Sequence, residues 1–128
     1  MADTLVDATI IIDATNNHGR AVRYVDELVL AGDACTHAQA VAEVIAVTRD
    51  AKELAKLQKF VRRFRVLHMS ESDSQSALAC LARFHLSHDL DFGDCLIGTT
   101  ALRLNLPVAT INDRHFRLFT GLKVIRPY

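Results

Sequence analysis

The chain has 128 residues, with 15 lysines and arginines against 15 aspartates and glutamates, and half of its residues are hydrophobic. That length implies one domain, expected over residues 1–128 and able to bury roughly two thirds of its unfolded surface in one core, while the zero net charge excludes the broad basic field of a general nucleic-acid binder. Cys35, Cys80 and Cys95 are odd in number, widely spaced and set in apolar sequence, which excludes a disulfide framework and a zinc site and fits a reducing cytosol.

The opening Met1-Ala2-Asp3-Thr4 carries no basic region ahead of an apolar run, and no stretch approaches the ~20 apolar residues that span a bilayer. A soluble, cytoplasmic protein without membrane association is expected. Leu5 to Asp13 is nearly continuous apolar and β-branched sequence, as in a strand of a parallel sheet covered on both faces. Asp7 interrupts it. An ionised carboxylate in such a run costs several kcal/mol unless it sits where the strand ends, and strand ends are where open α/β sheets bind ligands. Asp7 is therefore a site candidate, whereas Asp13 reads as a helix cap or surface residue.

Asn16, Asn17 and Gly19 mark a turn, and Ala21, Val22, Val25, Leu28 and Val29 then recur at helical spacing until Gly32. A short strand follows at Ala34-Cys35-Thr36. The next helix starts near His37, with Val41, Val44 and Ile45 as its expected buried stripe. Glu43 lies in this segment and periodicity leaves two readings open: a solvated face, or an acid left without a nearby charge partner by its alanine and valine neighbours. Asp50 to Phe64 reads as a more polar helix, with Leu54, Leu57 and Val61 inside and Lys52, Lys56, Lys59, Arg62 and Arg63 outside. This one concentration of positive charge reads as a solvated face before it reads as a phosphate-contacting stripe.

Val66 to Met69 fits a short strand, and Ser70 or Ser72 caps a helix from Asp73 to His88 whose inner face is Ala77, Leu78, Leu81, Phe84 and His85. His68, His85 and His88 share no metal-ligand spacing. Between Asp89 and Leu104, three acids in six residues precede an apolar helix. Asp91 suits its cap; Asp94, on the first turn of a helix nearly free of charge, is a carboxylate that needs a partner or a metal. Asn105-Leu106-Pro107 breaks the chain, Val108 to Thr110 forms a strand ending at Asn112-Asp113, and a short helix from Asp113 to Phe119 and a strand from Lys123 to Arg126 follow.

Strands alternating with helices predict an α/β fold with a parallel sheet and helices on both faces. The chain has no Gly-rich phosphate loop and no serine nucleophile elbow. What remains are acids at Asp7, Glu43, Asp94 and Asn112-Asp113. Carboxylates gathered at strand ends repel unless a divalent cation neutralises them, and oxygen-only ligands suit Mg²⁺ or Mn²⁺. A phospho-acceptor regulatory domain has this length too, but the middle strand here ends in His68-Met69-Ser70 rather than in an acceptor Asp.

The order Val6-Asp7-Ala8-Thr9-Ile10-Ile11, Ala42-Glu43-Val44-Ile45, Gly93-Asp94-Cys95-Leu96-Ile97-Gly98-Thr99-Thr100, Ala109-Thr110-Ile111-Asn112-Asp113-Arg114-His115-Phe116 and the closing Gly121 to Tyr128 resembles PIN-domain ribonucleases of the VapC toxin type, over essentially the whole chain. The resemblance implies a single PIN-like α/β/α sandwich around a short central parallel sheet. It makes Asp7, Glu43 and Asp94 the family's three acids and places Thr9 at the small polar position after the first. It also implies an Mg²⁺- or Mn²⁺-dependent endoribonuclease acting on RNA, a small cognate antitoxin partner and a homodimer. The alternative of the same shape is a catalytically degenerate PIN-like module that binds protein or RNA without cutting. The fourth polar position falls on Asn112, with Asp113 beside it as a helix cap that points aside. Cys95 and Gly98 stand where alanine is commoner.

Overall fold

The computed structural model describes residues 3–128; Met1 and Ala2, which begin the segment read above for targeting, lie outside the described residues. Five parallel strands, β1 (Thr4–Val6), β2 (Ala34–His37), β3 (Arg65–Leu67), β4 (Val108–Ala109) and β5 (Val124–Ile125), form one sheet in the order β3-β2-β1-β4-β5. The chain steps outward from β1 to β3, then crosses back to β4 and β5 on the other side of β1. Right-handed connections running in opposite directions place the helices on opposite faces, so β1 and β4 flank the point where the connections change sides.

Two helices, α1 (Ala8–Thr15) and α2 (Gly19–Ala31), join β1 to β2, and α3 (Ala38–Ala46) and α4 (Ala51–Val61) join β2 to β3. The connection from β3 to β4 is α5 (Glu71–Phe84) and α6 (Phe92–Leu104), and α7 (Asp113–Phe116) precedes β5. Leu5, Val6, Ile10, Ile11, Val25, Val108 and Phe116 are wholly buried in the main core. None of the described helices is long and apolar enough to cross a membrane.

The first strand is much shorter than the apolar run predicts. Asp7 adopts extended backbone and its carboxylate accepts the Thr9 amide, so the strand stops at Val6 and Ile10, Ile11 and Ile12 enter α1. Complete burial of Ile10 and Ile11 outweighs their β preference. Asp13 accordingly lies inside α1 rather than capping a helix, and it accepts the Tyr128 hydroxyl at 2.8 Å.

Other departures are rotations of a helix face. On α3 the buried residues are Ala40 and Val44, and Ile45 is 42% exposed. On α5, which ends at Phe84 rather than His88, Leu78 is 56% exposed and His85 caps the C-terminus at the surface. Ser70 and Asp73 form a reciprocal capping box at its start. Gly32 and Asn105 end α2 and α6 in left-handed conformation, with φ of 77° and 56°.

Candidate active site

Asp7 leaves β1 at the point where the helical connections change sides of the sheet, and it is buried. Its Oδ1 accepts the Thr9 amide at 3.0 Å and the Thr9 hydroxyl at 2.5 Å, and its Oδ2 accepts the Thr110 hydroxyl at 2.7 Å. Both hydroxyls are oriented in turn, because Thr9 Oγ1 accepts the Ile111 amide and Thr110 Oγ1 accepts the Asn112 amide. Desolvation raises the Asp7 pKa and these hydrogen bonds oppose the rise. The two threonines thus tie the end of β1 to the end of β4.

Glu43 projects from the second half of α3. Its Oε2 is buried without a hydrogen-bond partner. Burial, followed by the charges of Asp91, Asp94 and Asp7, pushes its carboxyl up to about 7, against the opposing pull of the Gln39 side chain. The apolar neighbours seen in the sequence therefore belong to a partly buried acid and not to a solvated face.

Asp94 stands in the first turn of α6, where Asp91 caps the helix by accepting the Asp94 amide at 2.8 Å. Burial and Asp91 push the Asp94 carboxyl up to about 6, and His115 opposes them. His115 Nδ1 lies 3.0 Å from Asp94 Oδ2 and 3.0 Å from Asn112 Nδ2, and this one nitrogen serves either contact, donating to Asp94 when it carries the proton or accepting from Asn112 when bare.

The four carboxylates of Asp7, Glu43, Asp91 and Asp94 are near enough that Glu43 feels the other three. Among the described residues, however, no three acid, imidazole or thiol side chains already form a ready chelate. Mutual repulsion of like charges accounts for that spread.

Asn112 is half-buried and occupies the N-cap position of α7 without a side-chain cap bond. Asp113 is the first residue of α7 and not its cap. Its carboxylate turns to Arg117 at 3.1 Å and Arg126 at 3.2 Å, and these guanidiniums lower its pKa. Asp113 is thus held in ion pairs, while the Asn112 side chain meets His115.

Residues that the sequence reading passed over include Thr110, assigned only to a strand, and His115, which carries no recognisable ligand spacing. Both act over long sequence separations. Only the pairing of β1 with β4 brings Thr110 to Asp7.

The PIN domain family model matches residues 4–122. The ribonuclease VapC19 of Mycobacterium tuberculosis is 29% identical over 121 residues, covering 93% of this chain and 96% of that protein. Among solved structures, a DNA-bound VapBC of Salmonella typhimurium superposes with a TM-score of 0.80 at 20% identity over 100% of both chains. A toxin–antitoxin complex from Klebsiella pneumoniae gives 0.77 at 20% identity over 98% of each chain. VapBC2 of Rickettsia felis, bound to a promoter DNA fragment, gives 0.79 at 16% identity over 95% of this chain and 96% of that one. These likenesses agree with the parallel α/β fold.

Proposed function

Because the chain belongs to the PIN-domain family, we propose that it is an Mg²⁺- or Mn²⁺-dependent endoribonuclease and the toxin of a toxin–antitoxin pair. The observation that carries this reading is the buried, unpartnered Oε2 of Glu43, set among carboxylates whose charges raise its pKa. An all-oxygen donor set of this kind fits a hard divalent cation, with Asp7 and Asp94 as the direct or water-mediated ligands and Glu43 completing the shell. A bound cation of this type lowers the pKa of water and neutralises charge on a phosphodiester under in-line attack.

The chain's own residues supply position. Thr9 and Thr110 fix both oxygens of Asp7, so that carboxylate meets its ligand in one orientation. Glu43 offers a free oxygen that suits orienting an attacking water. RNA would be held by local cations such as Arg114, Arg20 and the basic face of α4. That face is smaller than the sequence implies, because Arg49 pairs with Glu53, Arg63 with Asp26 and Arg65 with Asp3, and Lys56 bonds the Thr15 carbonyl.

The relative from M. tuberculosis is named a ribonuclease, the K. pneumoniae structure is named a toxin–antitoxin complex, and the S. typhimurium and R. felis structures are named VapBC and VapBC2 bound to DNA. A small antitoxin fits this chain by laying an apolar segment along a groove of about 350 Å³ between α3 and α4, lined by Val41, Ile45, Leu57, Val61 and Phe64. The valines of α2 are less available: Val25 is fully buried, and Val22 and Val29 pack on the core. The exposed Leu78 and Leu102 give α5 and α6 an apolar surface for a second copy.

A catalytically degenerate module would share the fold without the ion. Titration of the purified chain with Mn²⁺ separates the two: the nuclease binds it, and Asp7→Asn or Asp94→Asn loses it. Failure of the wild type to bind Mn²⁺ favours the degenerate module.

A further inference from the structure

A buried imidazole lies between the helices that carry Glu43 and Asp94, and it has no part in the chemistry described so far. His37 is wholly buried at the end of β2. Its Nδ1 accepts the Gln39 amide at 2.9 Å and so caps α3. Its Nε2 lies 3.0 Å from the hydroxyl of Thr100, two turns along α6 from Asp94.

The hydrogen-bond directions follow from the donors. An amide only donates, so Nδ1 is the bare nitrogen and Nε2 carries the proton. Thr100 receives that proton and passes its own to Asp73 Oδ2 at 3.1 Å. Asp73 is an anion held by both arms of Arg103 at 2.8 and 2.9 Å and by the Ser70 amide, so the direction of the chain is set from its far end.

At the near end stands Gln39. Its side chain faces the Glu43 carboxylate. It also packs closely on Gly93, where a Cβ would lie 2.7 Å from Gln39 Nε2, so α3 meets the first turn of α6 at this side chain.

We propose that His37 is a positioning residue for the acidic centre: its neutral imidazole, capping α3 through Nδ1 and bonded to Thr100 through Nε2, sets the helix bearing Glu43 against the helix bearing Asp94. This inference rests on the ion-binding reading of that centre. Burial keeps the imidazole neutral, Asp73 on α5 opposes that effect, and His68, after β3, adds to it. A protonated ring would present N–H at both nitrogens and lose the cap.

Nitrogen-15 NMR of the histidine rings in the full chain tests the tautomer first, with an unprotonated Nδ1 and a protonated Nε2 expected at neutral pH. Mn²⁺ affinity, read by paramagnetic resonance, is then compared in wild type, His37→Ala and His37→Asn. His37→Ala should weaken Mn²⁺ about tenfold, as loss of an orienting outer partner does, and His37→Asn, whose carbonyl can accept the Gln39 amide but which lacks the tie to Thr100, should recover only part of that. Protonated Nδ1, or His37→Ala binding Mn²⁺ within about twofold of wild type, overturns the proposal. If the wild type binds no Mn²⁺, the ion-binding reading fails by itself. The relay is then decided by the tautomer and by slow exchange of the Gln39 amide, kept in His37→Asn and lost in His37→Ala. Should His37→Ala not fold, His37→Asn and Thr100→Val, which keeps the cap and cuts the tie to α6, carry the comparison, with equal affinity in all forms overturning the proposal.

Discussion

Thr110 gives its hydroxyl proton to Asp7 Oδ2 at 2.7 Å while accepting the Asn112 amide at 2.9 Å, so the last strand-end residue before the fourth polar position orients the first acid. Thr110→Val keeps the shape and removes both bonds. It leaves a buried carboxylate oxygen unpaired, which costs about 1–3 kcal/mol. Thermal melting should show that loss, and RNA cleavage should fall with it. Unchanged melting and cleavage would mean that Asp7 is oriented by Thr9 alone.

Glu43 and Asp94 make stability depend on pH in a definite sense. Their folded carboxyls, pushed up to about 7 and about 6, lie above the ordinary 4.5 and 3.8, so the folded chain holds more protons than the unfolded one across that window. The contribution of these two groups is fully present below the ordinary values and is lost as pH rises through the folded ones. Glu43→Gln should therefore stabilise the fold at about pH 8 by about 1–2 kcal/mol once solvent screening of this half-buried group is allowed for, read as a higher melting temperature, and by less at about pH 5. A larger gain at the lower pH would contradict the raised carboxyl.

Asp113 and Asn112 divide stability from chemistry. Asp113→Ala removes the pairs to Arg117 and Arg126 at the surface and should lower the melting temperature more than the cleavage rate. Asn112→Asp adds an acid beside His115 and Asp94 and should tighten Mn²⁺ binding. Cleavage abolished by Asp113→Ala at unchanged stability would give Asp113 the role of fourth acid.

Gly98 is a packing requirement. A Cβ there would lie 2.6 to 2.7 Å from the ring atoms of Phe119, so Gly98→Ala should destabilise by about 1–3 kcal/mol. Equal melting of the two proteins would show that the ring moves aside without cost.

The parallel α/β fold was legible in the sequence because apolar runs alternate with amphipathic helices bounded by Gly32, Ser70, Asp91 and Asn105. The register of the first strand was not, since Ile10, Ile11 and Ile12 read equally well as strand until the Asp7 cap is seen to turn the chain. Asp7, Glu43 and Asp94 were legible as acids in apolar sequence, and in the structure Glu43 feels the charges of the other two. Thr110, His115 and His37 escaped because each is defined by a bond to a residue 21 to 103 positions away or by a cap that only the folded backbone presents.

Metal-dependent cutting of RNA by these acids is tested most directly by cleavage of total RNA by purified protein with Mg²⁺ or Mn²⁺, with excess chelator, and with Asp94→Asn. Defined internal cuts are expected that vanish in chelator, return when the metal is added back and are absent in the variant. Cuts that persist in chelator and in Asp94→Asn, from a preparation free of contaminating nuclease, would contradict it.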